Sequence, residues 1–463
     1  MSLFSWLRAR LSNSPTPHRS PRRPATRRFR PRLEALEGRA MLSTLTVLNN
    51  ADSGHGSLRA EIAAAQSGDT IVFAPSLNGQ TIALSGGELS ITKGLNIEGP
   101  GAGELTISGI ASVGGINYLS RVFEVNASQS VSISGLSIVD GRGGPNGGAI
   151  LNHSTLTLSN CEIENSTAEY GGAIDNASTG TLTISGCGIY NNHALDLGGG
   201  IRNLGTMTVS GSNVGYNYAN ADGGGIDNQG RLNVSTSTLS QNSTYGDGGG
   251  IYSWVGSAGV TLTGCTLSNN RATVGQSDPW GGTVYGGGAL YVSNYTTATL
   301  TNCTLASNTA TDGYGGGIDV VANGRATLLN CTLALNSAGH GGGIASNAAF
   351  TLGLTNTIVA ENLATTHIGP DIYGAVTTAD HNLVGNGAGE TGIVNGVNGD
   401  IVGVNPMLGP LANNGGPTET MALLVGSPAI GQADNAAAPA TDQRGVTRQD
   451  VPGEATDIGA FEF

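Results

Sequence analysis

The sequence predicts an all-β chain wound into a right-handed parallel β-helix and closed at its N-terminal end by one capping helix. Three observations point there. Glycine supplies 75 of the 463 residues, roughly double its usual share. Only 11% of residues are charged. A glycine-marked unit recurs through the middle of the chain. Glycine does not fall at every third position, so the chain is not collagen-like. Gly, Ser, Thr and Asn dominate and are poor helix formers, which excludes a helical bundle. No apolar run is long enough for a membrane-spanning helix. A hydrophobic content of 38% is too high for a wholly disordered chain.

The repeat is a Gly-Gly-Ala/Gly-aliphatic signal, then alternating strands, then Asn. Its aliphatic residue falls at Ile150, Ile174, Ile201, Ile226, Ile251, Leu290, Ile318 and Ile344, in steps of 24, 27, 25, 25, 39, 28 and 26 residues. The one long step contains an insertion. Apolar residues fall into columns within each unit. One column contains Leu156, Leu182, Met207 and Leu232, and another, two positions on, contains Leu158, Ile184, Val209 and Val234. After a turn, a third runs through Ile163, Ile189, Val214 and Leu239. A spacing of two is the strand period, so the first two columns share a face. Three short strands per unit cannot bury that face alone. Stacking the units about 4.8 Å apart buries it, and crossover chirality predicts a right-handed coil.

The corners need left-handed backbone or close approach, which Gly allows and Asn tolerates. Asn192, Asn217, Asn242, Asn270, Asn308 and Asn336 share one corner, and Asn152, Asn176, Asn203 and Asn228 another. Stacked side chains there are expected to form hydrogen-bonded ladders. All five cysteines, Cys161, Cys187, Cys265, Cys303 and Cys331, occupy one inward column, with Ser212 and Ser237 in the same slot. Coil spacing exceeds the Cβ separation of a disulfide, so a buried ladder of free thiols is expected.

An open solenoid end must be covered. Residues 57–66 form the expected cap helix, with Ser57 at its N-cap and Leu58, Ile62 and Ala65 on one face. The organisation read from the chain is a basic targeting segment at 1–43, a cap and irregular first coils at 44–140, the regular repeat at 141–365 and a Pro- and Asn-rich segment at 366–463. Residues 1–40 carry ten arginines and two acids, a net of +8, and the rest carries 10 bases and 31 acids, a net of −21. The acidic body would repel nucleic acid, so the basic head is read as a targeting segment rather than a nucleic-acid tail.

Several stretches carry a family resemblance. Residues 32–43 resemble the LEPR-XLL-like sorting segment of planctomycete-type exported proteins. Asp52-Ser53-Gly54-His55-Gly56-Ser57-Leu58-Arg59, with Gly68-Asp69-Thr70-Ile71-Val72-Phe73, looks like the start of bacterial right-handed parallel β-helix surface proteins. The glycine repeats resemble those of polymorphic outer-membrane proteins. The tail, with Asn405-Pro406-Met407-Leu408-Gly409-Pro410-Leu411, Thr441-Asp442-Gln443-Arg444-Gly445 and Asp457-Ile458-Gly459-Ala460-Phe461-Glu462, is similar to the choice-of-anchor Q domain. The resemblance implies a pectin-lyase-like solenoid that is secreted or placed at the cell surface. It does not specify an activity.

Related β-helices include lyases that use acids with Ca²⁺ and a basic proton acceptor, so chemistry has to be weighed. Asp175, Arg202 and Asp227 follow the repeat aliphatic on consecutive coils and point outward by alternation. Such a row either binds a uronate and abstracts its α-proton or is a charge-spacing ladder. Asp222 and Asp247 stack as a second pair, either a weak Ca²⁺ site or solvated turn acids. Eight of the 22 aromatic residues crowd into 245–314, among them Tyr252, Trp254, Trp280, Tyr285 and Tyr291. That stretch also holds the insertion, and exposed aromatic faces suit sugar rings. The expected function is a non-catalytic, exported β-helix that binds polysaccharide or a cell-surface component through this flank. A pectate-type lyase and a structural spacer or adhesin are the alternatives.

Overall fold

The computed structural model describes residues 42–273, 286–321, 323–346, 351–448 and 455–463. Four parallel sheets run along the coil. Sheet A has thirteen strands from Thr44–Val47 to Thr378–Asp380, and sheet B thirteen from Gln80–Ala83 to Ile401–Val402. Sheet C has twelve from Leu89–Ile91 to Glu390–Thr391, and the short sheet D eight from Thr167–Ala168 to Leu363–Ile368. Each regular coil runs C, A, B, D. Every strand in these sheets pairs with its equivalents on the neighbouring coils, so Leu156, Leu182, Met207 and Leu232 stand in register. All four are buried in one continuous core. Sheet D was not expected. Half of its strands are two residues long, too short for an alternation signal.

The glycine triplet is explained by its neighbours one coil away. Gly198, with φ +70°, provides the left-handed turn into sheet C. A Cβ on Gly199 would sit 2.3 Å from the Gly224 carbonyl oxygen of the next coil. The third position accepts Ala, as at Ala149, Ala173 and Ala289.

Both Asn ladders form. Asn192 Nδ2 donates to Asn217 Oδ1 at 3.0 Å, and Asn217 Nδ2 to Asn242 Oδ1 at 3.0 Å. Asn217 Oδ1 also accepts from the Asn192 backbone N–H at 3.1 Å, while its Nδ2 reaches the Ile189 carbonyl at 2.9 Å. Each buried amide is thus satisfied, as burial requires. The left-handed residue at this corner is the one before the ladder, as at Asn191, Tyr216 and Gln241. The ladder Asn is selected for hydrogen bonding rather than for backbone tolerance. The second ladder runs from Asn152 to Asn228 with Nδ2 to Oδ1 distances of 2.7, 2.8 and 2.8 Å. The five cysteines are buried and free. The Cys187 N–H donates to Ser212 Oγ at 3.1 Å, so Cys and Ser serve one slot. Burial pushes the Cys303 thiol well above the ordinary thiol range.

Helix α1 (Leu58–Ala64) is capped by Ser57, whose Oγ accepts from the Ala60 N–H at 3.2 Å. Leu58, Ile62 and Ala65 join Val47 in the core. Arg59 pairs with Asp52 at 2.7 Å, and Asp52 Oδ2 accepts from the Gly86 N–H at 2.6 Å. The stretch from Asp52 to Arg59 is therefore a clasp between the cap and the first coils.

Coil stacking continues past the last glycine triplet to Ile401–Val402. The tail then returns along the outer side of sheet B. Gln443 Nε2 donates to Thr266 Oγ1 at 2.9 Å, and Thr304 Oγ1 donates to Gln443 Oε1 at 2.6 Å. Arg448, 2% exposed, pairs with Glu462 at 2.8 Å and donates to Asn302 Oδ1 at 3.2 Å. Ile458 and Phe461 pack with Ile358 and Leu383. Among the described residues, no helix is long and apolar enough to cross a membrane.

Replacing Asn217 by Ala strands polar groups on both neighbouring coils. The expected loss is about 3 kcal/mol, read as a lower urea midpoint, since each orphaned buried group costs about 1–3 kcal/mol.

Candidate functional site

The flank of sheet C gathers most of the chemistry-bearing side chains. The residue after each repeat aliphatic stands in register along it, through Asp175, Arg202, Asp227, Tyr252, Tyr291 and Asp319. Alternation does turn these side chains away from the core. Apart from the half-buried Arg202 they do not reach solvent as expected: Asp227 is 0%, Asp319 1% and Tyr291 3% exposed. The strand is only three residues long, and the corners at both ends rise over it. The Tyr170 ring lies over the Arg202 guanidinium, 4.3 Å from its carbon, and Val321 closes against Tyr252 and Tyr291.

Within the expected acid–base–acid row the pairing is one-sided. Arg202 Nε donates to Asp175 Oδ1 at 3.1 Å and Nη2 to Asp175 Oδ2 at 2.6 Å. Nη2 also reaches Asn146 Oδ1 at 2.9 Å. Asp227 receives nothing from Arg202. Its Oδ2 accepts from Gln229 Nε2 at 2.8 Å, and its Oδ1 is buried with no partner. Burial pushes the Asp227 carboxyl up to about 7, with Asp222 and Asp175 adding repulsion and Arg202 opposing it. Burial likewise raises Asp319 to about 8.

Asp222 and Asp247 stack on adjacent coils as expected. Asp222 Oδ1 accepts the Asp247 backbone N–H at 2.8 Å. Burial raises Asp222 to about 6 and Asp247 well above the usual carboxylate range. Calcium takes about six to eight oxygen ligands. Among the described residues no cluster of three or more His, Cys, Asp or Glu is placed to hold a metal ion. The two carboxylates would need turn carbonyls to complete such a shell, and one carboxylate oxygen already accepts a backbone N–H.

The aromatic crowd divides into a buried base and an exposed edge. Tyr252 and Tyr291 stack with centroids 5.0 Å apart and an interplanar angle of 14°. Both are buried, so neither offers the open face expected of it. Trp254 meets Tyr252 edge-on at 5.6 Å and is 38% exposed. Tyr295, at the equivalent corner one coil on, is 69% exposed. Trp280 and Tyr285 lie outside the described residues. Sequence reasoning missed a second strip on sheet D, where His193, Tyr218 and Tyr245 follow one another at 5.0 and 5.5 Å. Its signal was the position directly after ladder residues Asn192 and Asn217. It also missed the N-terminal end of this flank, where a cleft of about 630 Å³ is lined by Glu88, Ser90, Arg121 and Arg142.

Residues 121–305 match the family model described as the right handed beta helix region. With the sheets above, this makes the fold the right-handed parallel β-helix expected from the repeat. No curated protein matches the sequence. Similar solved structures include three at 14% identity. The pectate lyase Pel9A has a TM-score of 0.45, over 92% of this chain and 97% of that one. The Agl-KA catalytic domain has 0.44, over 75% and 64%. The PL6 family alginate lyase AlyGC has 0.40, over 90% and 57%.

The pH response of Asp227 follows from its burial. The folded carboxyl titrates at about 7, and an unfolded one near 3.9. Between those values the folded chain keeps a proton that the unfolded chain has lost, so this group's contribution to stability falls as pH rises from about 4 to about 7. Asp227→Asn stays neutral throughout. Its melting temperature should match the parent at pH 4 and exceed it by a few degrees at pH 8, measured by circular dichroism.

Proposed function

We propose that the protein is an exported or cell-surface β-helix that binds a polysaccharide, without cleaving it, at the edge of the sheet C flank near Trp254 and Tyr295. The observation that carries this reading is the layered aromatic arrangement. Tyr252 and Tyr291 stack on each other, and Trp254 meets Tyr252 edge-on while remaining 38% exposed. A fixed, half-exposed indole offers a sugar ring apolar contact at little entropic cost. The basic segment ahead of an acidic body supports export. The likeness of the repeats to polymorphic outer-membrane proteins, and of the tail to the choice-of-anchor Q domain, supports a surface location.

Lyase chemistry is not part of this reading. A proton acceptor must be available and unprotonated. Arg202 is covered by Tyr170 and held on Asp175 by two charge-assisted hydrogen bonds, so it is not free to act as one.

On a glycan array the protein should retain at least one polysaccharide. Trp254→Ala should weaken that binding about tenfold by calorimetry, the worth of roughly 1.4 kcal/mol. Arg202→Ala should leave the affinity unchanged, and release of unsaturated uronate by the parent would contradict the reading.

A further inference from the structure

The outer face of sheet B breaks its own repeat at one place. One outward column reads Ser137, Glu162, Gly188, Asn213, Thr238, Thr266, Thr304 and Thr332. The other, two residues on, reads Val139, Glu164, Tyr190, Gly215, Ser240, Ser268, Ala306 and Ala334. From Thr238 onward both columns hold only small hydroxyls and alanine. The three coils before it hold two glutamates, two glycines, an asparagine and a tyrosine. Stacking does not ask for this set. Glycine inside a strand weakens it and marks the close approach of another group. Two like charges on one face of one strand repel.

The glycines make room for a ring. A Cβ on Gly188 would sit 2.4 Å from Tyr190 Cε2, and one on Gly215 3.4 Å from Tyr190 Cδ1. The ring therefore lies down along the strand instead of standing out from it. Beside it opens a cleft of about 310 Å³, whose lining includes Asn160, Glu162, Gly188, Tyr190 and Asn213. Glu162 and Asn213 are exposed, and Glu164 and Tyr190 half-buried. The tail leaves this stretch open, because its contacts along this side start at Gly264 and Thr266. Among the described residues no ion pair includes Glu162 or Glu164. Burial, and then the Glu162 charge, raises the proton affinity of Glu164.

This chemistry discriminates among ligands. Two carboxylates oppose a polyanion. A neutral sugar gains nothing from a pair of adjacent negative charges. Calcium takes about six to eight oxygens, and among the described residues no group of three or more His, Cys, Asp or Glu is set to hold a metal ion. An organic ammonium ion is attracted by the carboxylates and accepted by the face of a tyrosine ring. Ligand pockets begin at roughly 300 Å³, which this cleft reaches. The Asn160 and Asn213 amides both donate and accept, which suits sugar hydroxyls better than the methylenes of a lysine. We infer that this cleft binds a protonated amino sugar, with its ammonium at Glu162 and Glu164 and its ring against Tyr190. The site lies on sheet B, apart from the Trp254 edge, and either reading stands if the other fails.

The test uses the full chain and calorimetry at about pH 6, where an amine is protonated. The probes are the β-1,4-linked glucosamine tetramer, its fully N-acetylated counterpart and tetralysine. The parent should bind the glucosamine tetramer. It should bind the acetylated tetramer at least about tenfold more weakly, because acetylation removes the charge. The double variant Glu162→Gln with Glu164→Gln, and separately Tyr190→Ala, should each weaken binding about tenfold or more while circular dichroism stays unchanged. Asp312→Asn, which removes an exposed acid on sheet D, should behave as the parent. No binding of the glucosamine tetramer overturns the proposal, and so does equal binding of the acetylated one. Undiminished binding by the folded double variant overturns it too, since that is general attraction to an acidic chain. Preference for tetralysine over the amino sugar overturns it in favour of a basic peptide. If Tyr190→Ala unfolds, the double variant still decides.

Discussion

Each regular position in this protein lies about 4.8 Å from its own equivalents on the coils before and after. That one constraint selects its residues. A side chain is tolerated when it can stand against copies of itself. Aliphatics do so by packing, amides by donating to one neighbour while accepting from the other, and small hydroxyls and thiols by fitting. The Asn217 amide meets this condition completely, with Asn192 on one side and Asn242 on the other. Where no side chain fits, at Gly199, a neighbouring carbonyl already occupies the place of the Cβ.

Charge obeys the same rule with less room. Like charges one coil apart repel, so Arg202 beside Asp175 forms a tight pair, while Asp227 on the following coil is left with a raised affinity for its proton. Asp222 and Asp247 respond in the same direction. The flank of sheet C is therefore a place where burial raises the proton affinity of several acids. That environment supports a fixed aromatic edge better than a cluster of ionised ligands.

The tail shows how a repetitive surface is made specific. Its Gln443 and Arg448 address corner and strand side chains of two adjacent coils, at Thr266 on one and at Asn302 and Thr304 on the next. The motifs read from the tail sequence thus have a structural task. They bind the outer side of sheet B at Thr266, Thr304 and Thr332 and bury it there. Arg444, set over the Phe461 ring at 3.6 Å, holds the last residues of the tail against residues 441–445.

The winding, the core columns, both Asn ladders, the thiol slot and the cap helix were legible in the sequence. Each repeats with the coil, and a repeated pattern reports a repeated environment. The columns Leu156 to Leu232 and Asn192 to Asn336 needed nothing beyond their spacing. The candidate site was legible only in part. Register placed Asp175, Arg202 and Asp227 on one line, but alternation says only which side of a strand a residue takes, not what lies above it. That Tyr170 covers Arg202, that Asp227 is sealed from water and that the tail overlies sheet B were decided by tertiary structure alone. Corner loops and the returning tail do not share the period of the coil, so their contacts leave no spacing to read.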